Sequence, residues 1–200
     1  MEKKRIIVGI SGASGVIYGV ELIKHLKRLH IEVHLILTSA GEKVLSLEMS
    51  MEGRELKEYV DVLYGASEIG APPASGSYPH HGMVICPCTM ASLGCIANGI
   101  GDDLLTRAAD VTLKEGKKLI LVTRETPLNL IHLENMVKAA RAGATIMPAS
   151  PGFYHHPSTI GDLVHHLVGR VMDQLGIKHH LISPWEGENA LLKGARYLKK

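Results

Sequence analysis

The sequence predicts an α/β fold in which helices cover both faces of a parallel β-sheet. Short apolar runs of strand length alternate with segments whose apolar residues recur at helical spacing. Strands that are separated by helices form parallel sheets, and such sheets are buried on both faces. The sequence shows no internal repeat, low-complexity tract or domain boundary. We therefore expect one domain over residues 1–200, with a C-terminal helix and tail that contribute to the site or to an oligomer.

The predicted elements of the first half begin with a buried strand. Arg5–Ile10 is an apolar run, and Val16–Leu29 carries an apolar stripe at helical spacing. The elements that follow are a strand at Glu32–Thr38, helices at Gly41–Met51 and Arg54–Leu63, a strand at Gly82–Cys86 and a helix at Thr89–Ala97.

The second half continues this alternation. The predicted elements are a helix at Asp102–Glu115, a strand at Lys118–Thr123, a helix at Pro127–Ala142, a strand at Ala144–Met147 and a helix at Thr159–Leu175. Pro127 suits the first turn of its helix and Gly143 suits the end of it, while Ser158 suits the N-cap of the last helix.

Charge and composition exclude several classes of protein. The formal net charge is +2 and the charges are interspersed, so no basic stripe indicates nucleic-acid binding. No apolar stretch reaches the about 18 residues that a membrane span needs. The N-terminus lacks the apolar region and cleavage site of a signal peptide, so we expect a cytoplasmic protein. Cys86, Cys88 and Cys95 match no zinc-binding spacing, and we expect them to be reduced core residues.

The loop after the first strand, in the segment GISGASG, resembles a nucleotide-binding loop. Its glycines, Gly9, Gly12 and Gly15, lack the close pair of a dinucleotide fingerprint. The second strand ends in Thr38, a hydroxyl, where NAD recognition uses an acidic residue. A dinucleotide site is therefore disfavoured. The loop still suits a phosphate at a helix N-terminus, with the Ser14 hydroxyl beside it, but it also suits a tight turn that packs helix on strand.

Two later segments allow both a structural and a functional interpretation. Thr89 and Ser92 begin a helix after a buried strand, so Thr89 is either an N-cap or part of a polar site. Arg107 and Lys114 are seven residues apart and share a helix face. With the nearby residues Asp103 and Asp110 they form either a solvated salt-bridge ladder or a cationic grip on a phosphate.

Charged residues at the end of the strand KLILVT are harder to explain as surface positions. Arg124 and Glu125 follow this strand directly, which makes Glu125 a candidate acid or base. Arg170 lies among apolar residues of the last helix, where it pairs with a phosphate or a carboxylate. Asp162 and His166 have i,i+4 spacing, but no convergent ligand set is visible, so we expect no metal site.

Six segments together resemble the UbiX-type flavin prenyltransferases, a family of UbiX/PAD-like proteins. The matching segments, in order, are GISGASGVIYG, PPASGS, MVICPCTMASL, LLTRAADVTLKE, LVTRETPLNLIHLENM and PASPGFYHHP. Each motif is modest by itself, but six in order cover nearly the whole chain. The resemblance implies a three-layer, flavodoxin-like (Rossmann-like) fold that binds FMN.

The resemblance also implies the reaction. The dimethylallyl group of dimethylallyl phosphate is transferred to reduced FMN, at N5 and C6, without a metal. The product, prenylated FMN, serves UbiD-type decarboxylases. Family members assemble as homododecamers, and we expect the site to form between subunits.

The family's functional residues match positions of this chain one by one. The implied FMN-binding residues are Gly12, Ala13, Ser14, Thr38, Thr89, Met90, Ala91, Ser92 and Arg124. The implied contacts of the prenyl phosphate are Tyr154, Arg170 and the C-terminal aromatic Trp185. The implied catalytic positions are Ser14, Arg107, Lys114 and Glu125. Thr38 and Thr89 stand where the family commonly has serine, and the change keeps a hydroxyl.

Two other functions are compatible with the sequence. A flavin-dependent cysteine decarboxylase of the same wider group binds FMN but oxidises a peptidyl cysteine. An accessory subunit of a phenolic acid decarboxylase carries flavin without catalysis. The set of charged positions and the segment RETPL favour the transferase over both.

Overall fold

A computed structural model describes residues 4–183 and residue 187. The chain divides into two compact units, Met1–Ala149 and Ser150–Lys200. The first unit contains the sheet, and the second contains the last helix. The single domain over residues 1–200 stays a prediction.

The sheet has six parallel strands in the order β3-β2-β1-β4-β5-β6. The strands are β1 Arg5–Ile10, β2 Glu32–Leu37, β3 Val62–Gly65, β4 Met83–Cys88, β5 Leu119–Thr123 and β6 Thr145–Ile146. The chain runs outward to one edge through β2 and β3, then returns to pair β4 with β1. This reversal between β1 and β4 is the topological switch point, beside which doubly wound sheets bind their ligands.

Helices cover both faces of the sheet. The α-helices are α1 Val16–Arg28, α2 Ser39–Met49, α3 Met90–Ala97, α4 Leu104–Lys114, α5 Leu130–Arg141 and α6 Ile160–Gln174. In the first unit, α1 packs on β1, β2 and β4, while the buried faces of α3, α4 and α5 join a separate core cluster with the strands. The three-layer, flavodoxin-like fold expected from the sequence is thereby confirmed.

One predicted helix was wrong. The segment Arg54–Leu63 is a 3-10 helix at Gly53–Tyr59 followed by the strand β3. The polar residues of the segment resemble a solvated helix, but Val62–Gly65 is a short edge strand whose pairing with β2 decides its conformation. Strands this short carry little periodicity, so tertiary pairing overrides the local pattern.

Two helix starts also differ from the expectation. The helix α5 begins at Leu130, and its N-cap is Asn129, whose side chain accepts a hydrogen bond from the His132 amide. Pro127 therefore lies ahead of the first turn. The N-cap of α6 is Thr159, not Ser158, because the Thr159 hydroxyl accepts the Asp162 amide at 3.1 Å. Such shifts of a few residues are typical of boundaries.

Close packing of α1 on β4 depends on Gly19. A Cβ atom at Gly19 would collide with the carbonyl oxygen of Cys86 and with the side chain of Ile10. This contact fixes α1, the helix after the β1 loop, against the strand β4. None of the described helices is long and apolar enough to cross a membrane.

Replacing Gly19 by alanine tests this packing. Gly19→Ala forces backbone apart, and we expect it to lower the free energy of unfolding by about 1–3 kcal/mol in a urea titration. The matched control is Gly94→Ala in α3, where a Cβ would meet only the Asn135 amide at 3.6 Å. That change should stabilise by up to about 1 kcal/mol because alanine favours helix. Equal effects of the two changes would contradict the account.

Candidate active site

Ser11 joins the loops that follow β1 and β4. Its side chain is buried, and its hydroxyl donates to the Pro87 carbonyl at 2.8 Å while accepting the Thr89 amide at 2.9 Å. The Ser11 amide donates to the same Pro87 carbonyl at 3.2 Å. One hydroxyl therefore ties together the two strand ends at the switch point.

The loop after β2 meets the same place. A Cβ at Gly12 would lie 2.5 Å from Ala40 Cβ, so only glycine allows this approach of the β1 loop to the start of α2. Thr38 caps α2, since its hydroxyl accepts the Gly41 amide at 2.9 Å. The Thr38 amide donates to the Ile10 carbonyl at 3.1 Å. Three strand-end loops thus converge on one edge of the sheet.

Thr89 and Ser92 form the polar start of α3. The Thr89 hydroxyl accepts the Ser92 amide at 3.0 Å and lies 3.0 Å from the Ser92 hydroxyl. Thr89 is therefore an N-cap, as the structural interpretation expected, and it also belongs to the loop cluster through Ser11. The part of Thr89 in a polar ligand site stays a prediction. Met90 is buried, and Ala91 is exposed.

The N-terminus of α1 already holds an anion of the protein itself. The Glu48 carboxylate, from α2, accepts the Gly15 amide at 2.8 Å and the Val16 amide at 3.2 Å. Gly15 has the left-handed backbone conformation, φ 92°, that favours glycine. A phosphate at these two amides would have to displace Glu48. The neighbouring Ser14 is exposed and Ala13 is buried.

Arg124 and Glu125 emerge at the same edge from β5. The Arg124 amide donates to the Cys88 carbonyl at 3.3 Å, which links this loop to β4. Burial raises the pKa of the Tyr18 phenol on α1, and the Arg124 guanidinium acts against that rise. The guanidinium therefore lies within electrostatic reach of α1. Glu125 is exposed, and its carboxylate accepts the Thr126 amide at 3.1 Å.

The cations of α4 are paired within the helix and its C-terminal end. Arg107 donates to Asp110 at 2.9 Å, whereas Lys114 pairs with Glu115. The salt-bridge ladder is therefore only partly as expected, because Asp103 serves as the N-cap of α4. The hydrogen bond from Lys114 lowers the pKa of the Glu115 carboxyl.

The PPASGS segment lies beside Lys114. A Cβ at Gly76 would come within 2.8 Å of Lys114 Nζ. The segment is anchored by Tyr78, whose hydroxyl bonds to His34 at 2.9 Å and whose carbonyl accepts Lys117 Nζ at 3.0 Å. This anchored glycine turn limits the positions that the Lys114 ammonium can take.

The second unit carries Tyr154 and Arg170. Tyr154 is exposed in the loop before α6. Arg170 donates to Asp173 at 2.6 Å, and the other carboxylate oxygen of Asp173 lies 3.0 Å from the nearly buried His179. Arg170 thus pairs with a carboxylate, one of the two partners expected for it. Trp185 lies outside the described residues.

The loop cluster contains two residues that the sequence analysis missed. Ser11 gave a local signal, since it is a polar residue directly after a buried strand. Glu48 gave none, because it contacts the α1 N-terminus from 33 positions away along the chain. The structure joins Gly12, Thr38, Thr89 and Arg124 through backbone and hydroxyl contacts.

Cys88 lies at the edge of this cluster, and its thiol donates to the Thr89 carbonyl at 3.5 Å. Cys86 and Cys88 are buried free thiols, and burial raises the pKa of both. Cys95 is half-buried and also free. High thiol pKa values disfavour the reactive thiolate, which agrees with the expectation of reduced packing residues.

Known proteins match this chain over most of its length. The model of the family described as Flavoprotein matches residues 1–172. Flavin prenyltransferase UbiX of Halalkalibacterium halodurans is 46% identical over 191 residues, covering 90% of this chain and 93% of that protein.

Solved structures agree. The crystal structure of AnUbiX (PadA1) in complex with FMN and dimethylallyl pyrophosphate has a TM-score of 0.91 at 38% identity, covering 93% of this chain and 99% of that chain. A dodecameric FMN-dependent Ubix-like decarboxylase from Escherichia coli O157:H7 has a TM-score of 0.89 at 41% identity, covering 92% and 100%. Peptidyl-cysteine decarboxylase EpiD, at 20% identity and a TM-score of 0.63, shares the fold alone.

The topology, with strand-end loops joined at the switch point, defines a nucleotide-binding protein of the flavodoxin-like class, and the family model makes it a flavoprotein. Within that class, the chain belongs to the flavin prenyltransferase family, UbiX. The resemblance found in the sequence is therefore confirmed, together with the enzyme class that it implied, a prenyltransferase.

Removing the Ser11 hydroxyl should loosen the loop cluster. Ser11→Ala leaves the half-buried Thr89 amide without its partner, and we expect a loss of about 1–3 kcal/mol in the free energy of unfolding. Amide exchange at Thr89 should accelerate to the extent that corresponds to this loss of free energy. The exposed Ser46→Ala on α2 is the matched control and should leave both unchanged. Ser11→Ala with wild-type exchange at Thr89 would show that the bridge does not hold the loops.

Proposed function

We propose that the chain binds FMN at the β1/β4 switch point and transfers the dimethylallyl group of dimethylallyl phosphate to reduced FMN. The observation that carries the proposal is the convergence of three strand-end loops through Ser11, Gly12 and Thr38. The relatives supply the chemistry, since they are flavin prenyltransferases.

The donors of the loop cluster fit a flavin mononucleotide. The hydroxyls of Thr38, Thr89 and Ser92 lie at the N-termini of α2 and α3, where backbone dipoles favour an anion. Because Glu48 occupies the amides of α1, we assign the FMN phosphate to the α2 and α3 side of the cluster. Arg124 adds a positive charge at the same edge.

The remaining FMN-binding positions act through shape. The backbone of Gly12 and Ala13 and the residues Met90 and Ala91 would lie along the flavin. Ser14 is exposed directly before the Glu48-bound turn, so its hydroxyl is available to both substrates. We assign it to the boundary between FMN and the prenyl phosphate.

The cations serve the departing phosphate. When the allylic C–O bond breaks, negative charge develops on the phosphate and positive character on the dimethylallyl group. Arg107, Lys114 and Arg170 would stabilise the phosphate electrostatically, each held in place by its acidic neighbour. The aromatic faces of Tyr154 and Trp185 would stabilise the allyl group.

The reaction leaves one proton to be removed. The bond at N5 of reduced FMN would form as the allylic C–O bond breaks, and the N5 proton would pass to the released phosphate. The ring-closing bond at C6 would form as the alkene takes up that proton. The hydrogen on C6 must then leave. Glu125 is an exposed carboxylate at the lip of β5 and can take it, as can the released phosphate.

A second copy of the chain would complete the site. The helix α5 exposes Leu130 by 68% and Ile131 by 66%, which is apolar area that a neighbouring subunit can cover. One relative of known structure is dodecameric. We propose the same homododecamer here, with catalytic residues contributed across subunit contacts.

The product would be handed to a UbiD-type decarboxylase. This part of the proposal rests on the resemblance to the UbiX-type flavin prenyltransferases, whose product serves UbiD-type decarboxylases. One assay of the chain alone separates the role of a prenyltransferase from that of an accessory subunit.

The assay is anaerobic incubation with reduced FMN and dimethylallyl phosphate. We expect a flavin product heavier by one dimethylallyl substituent in mass spectrometry, and release of inorganic phosphate in equal amount. FMN that stays bound and unmodified would leave only the flavin-carrying role. In a parallel incubation with a cysteine peptide, decarboxylation of that peptide would favour the flavin-dependent cysteine decarboxylase.

Glu125→Gln should separate binding from turnover. We expect FMN binding to stay within about twofold, because glutamine keeps size and polarity, while turnover falls by about 100-fold or more through loss of the base. Glu58→Gln, on the exposed part of the 3-10 helix Gly53–Tyr59, is the matched control and should keep wild-type turnover. Wild-type turnover in Glu125→Gln would leave the released phosphate as the base.

A further inference from the structure

The loop that carries Tyr154 is attached to α6 at two points. At its C-terminal end, the Asp162 carboxylate accepts the Ser158 and Thr159 amides, both at 2.9 Å. At its N-terminal end, the Gly152 amide donates to His166 Nδ1 at 3.3 Å. Tyr154 lies between the two attachments.

The second attachment is built from two imidazole rings and a glycine. His155 stacks on His166 with ring centroids 4.7 Å apart and planes within 6°. A Cβ at Gly152 would lie 3.3 Å from His166 Cε1, so a side chain there would crowd the ring. The residues on both sides of Tyr154 along the loop thus touch the same histidine.

The attachments and the expected phosphate contact share one face of α6. Asp162, His166 and Arg170 are spaced by four residues each, which places them in a row. Arg170 is held at the far end of this row by Asp173, 2.6 Å away. The row therefore begins with the loop anchor and ends with the arginine.

We propose that His166 is a positioning residue that holds the Tyr154 loop on α6, so that Tyr154 and Arg170 are presented together to the prenyl phosphate. The proposal rests on the proposed function, since it takes Tyr154 and Arg170 as substrate contacts. His166 itself need not touch the substrate. Its acceptor atom and its flat ring hold the loop.

The hydrogen bond requires neutral His166. An amide can donate to Nδ1 only when that nitrogen carries no proton. Burial lowers the pKa of His166, and the charges of His155 and Arg170 lower it further. The attachment is therefore complete above the ordinary histidine pKa and is lost only as pH falls through the lowered pKa of His166. Hydrogen bonds from Ser158 and Thr159 lower the pKa of Asp162 to about 2, so the other attachment persists in acid.

Three substitutions separate the acceptor from the ring. His166→Asn keeps an oxygen near the position of Nδ1, His166→Phe keeps the stacked ring without an acceptor, and His166→Ala removes both. His180→Ala, an exposed histidine of the same unit, is the matched control. FMN binding should be unchanged in all four.

The readouts are amide hydrogen exchange of the 150–159 loop and the steady-state constants for dimethylallyl phosphate. We expect His166→Ala and His166→Phe to speed exchange at Gly152 and to raise KM by about fivefold, the equivalent of one neutral hydrogen bond. His166→Asn should restore much of both. As pH falls through the lowered pKa of His166, wild-type KM should rise more steeply than that of His166→Asn, a comparison in which titration of the substrate phosphate cancels.

Unchanged exchange at Gly152 in His166→Ala would overturn the proposal, as would equal exchange in His166→Asn and His166→Phe. A fall in kcat with no change in KM would also contradict a positioning role toward the prenyl phosphate. The exchange measurement needs no turnover. A wild-type protein that fails to prenylate FMN would therefore refute the proposed function, while the exchange pattern would still decide the role of His166.

Discussion

The hydrogen bonds of Ser11 hold the β1 and β4 loops together at the point where the strand order reverses. The buried hydroxyl donates to one loop residue and accepts from another, so neither Pro87 nor Thr89 can move without leaving a buried polar group unpaired. The N-terminus of α3 takes its position from this contact. The hydroxyls that would meet a nucleotide are consequently placed by backbone and not by long side chains.

Tight backbone approaches reinforce the same arrangement. Gly12 lets the first loop reach Ala40 of α2, and Gly19 lets α1 settle on β4. Glu48 then neutralises the amides at the start of α1. The result is an edge at which one helix N-terminus is satisfied internally while two others carry capping hydroxyls. On this asymmetry rests our proposal that the FMN phosphate binds at the end of the site away from Ser14.

Much of this architecture could be predicted from the sequence, for local reasons. Apolar runs and helical stripes gave the parallel sheet, and polar residues after buried strands marked Thr38, Thr89 and Arg124. The strand β3 was missed because four residues at a sheet edge carry almost no periodicity. Glu48 and the pairing of Lys114 with Glu115 could not be predicted, because distant backbone or competing neighbours decide them. The resemblance to a family supplied the substrate, which no spacing reveals.

The position of bound FMN decides the roles of the other site residues, and a crystal structure of the protein with FMN and dimethylallyl phosphate measures that position directly. We predict that the FMN phosphate accepts hydrogen bonds from the hydroxyls of Thr38, Thr89 or Ser92, with Glu48 still bound to the amides of α1. An FMN phosphate on the Gly15 and Val16 amides, with the Glu48 carboxylate displaced, would contradict the assignment of the site.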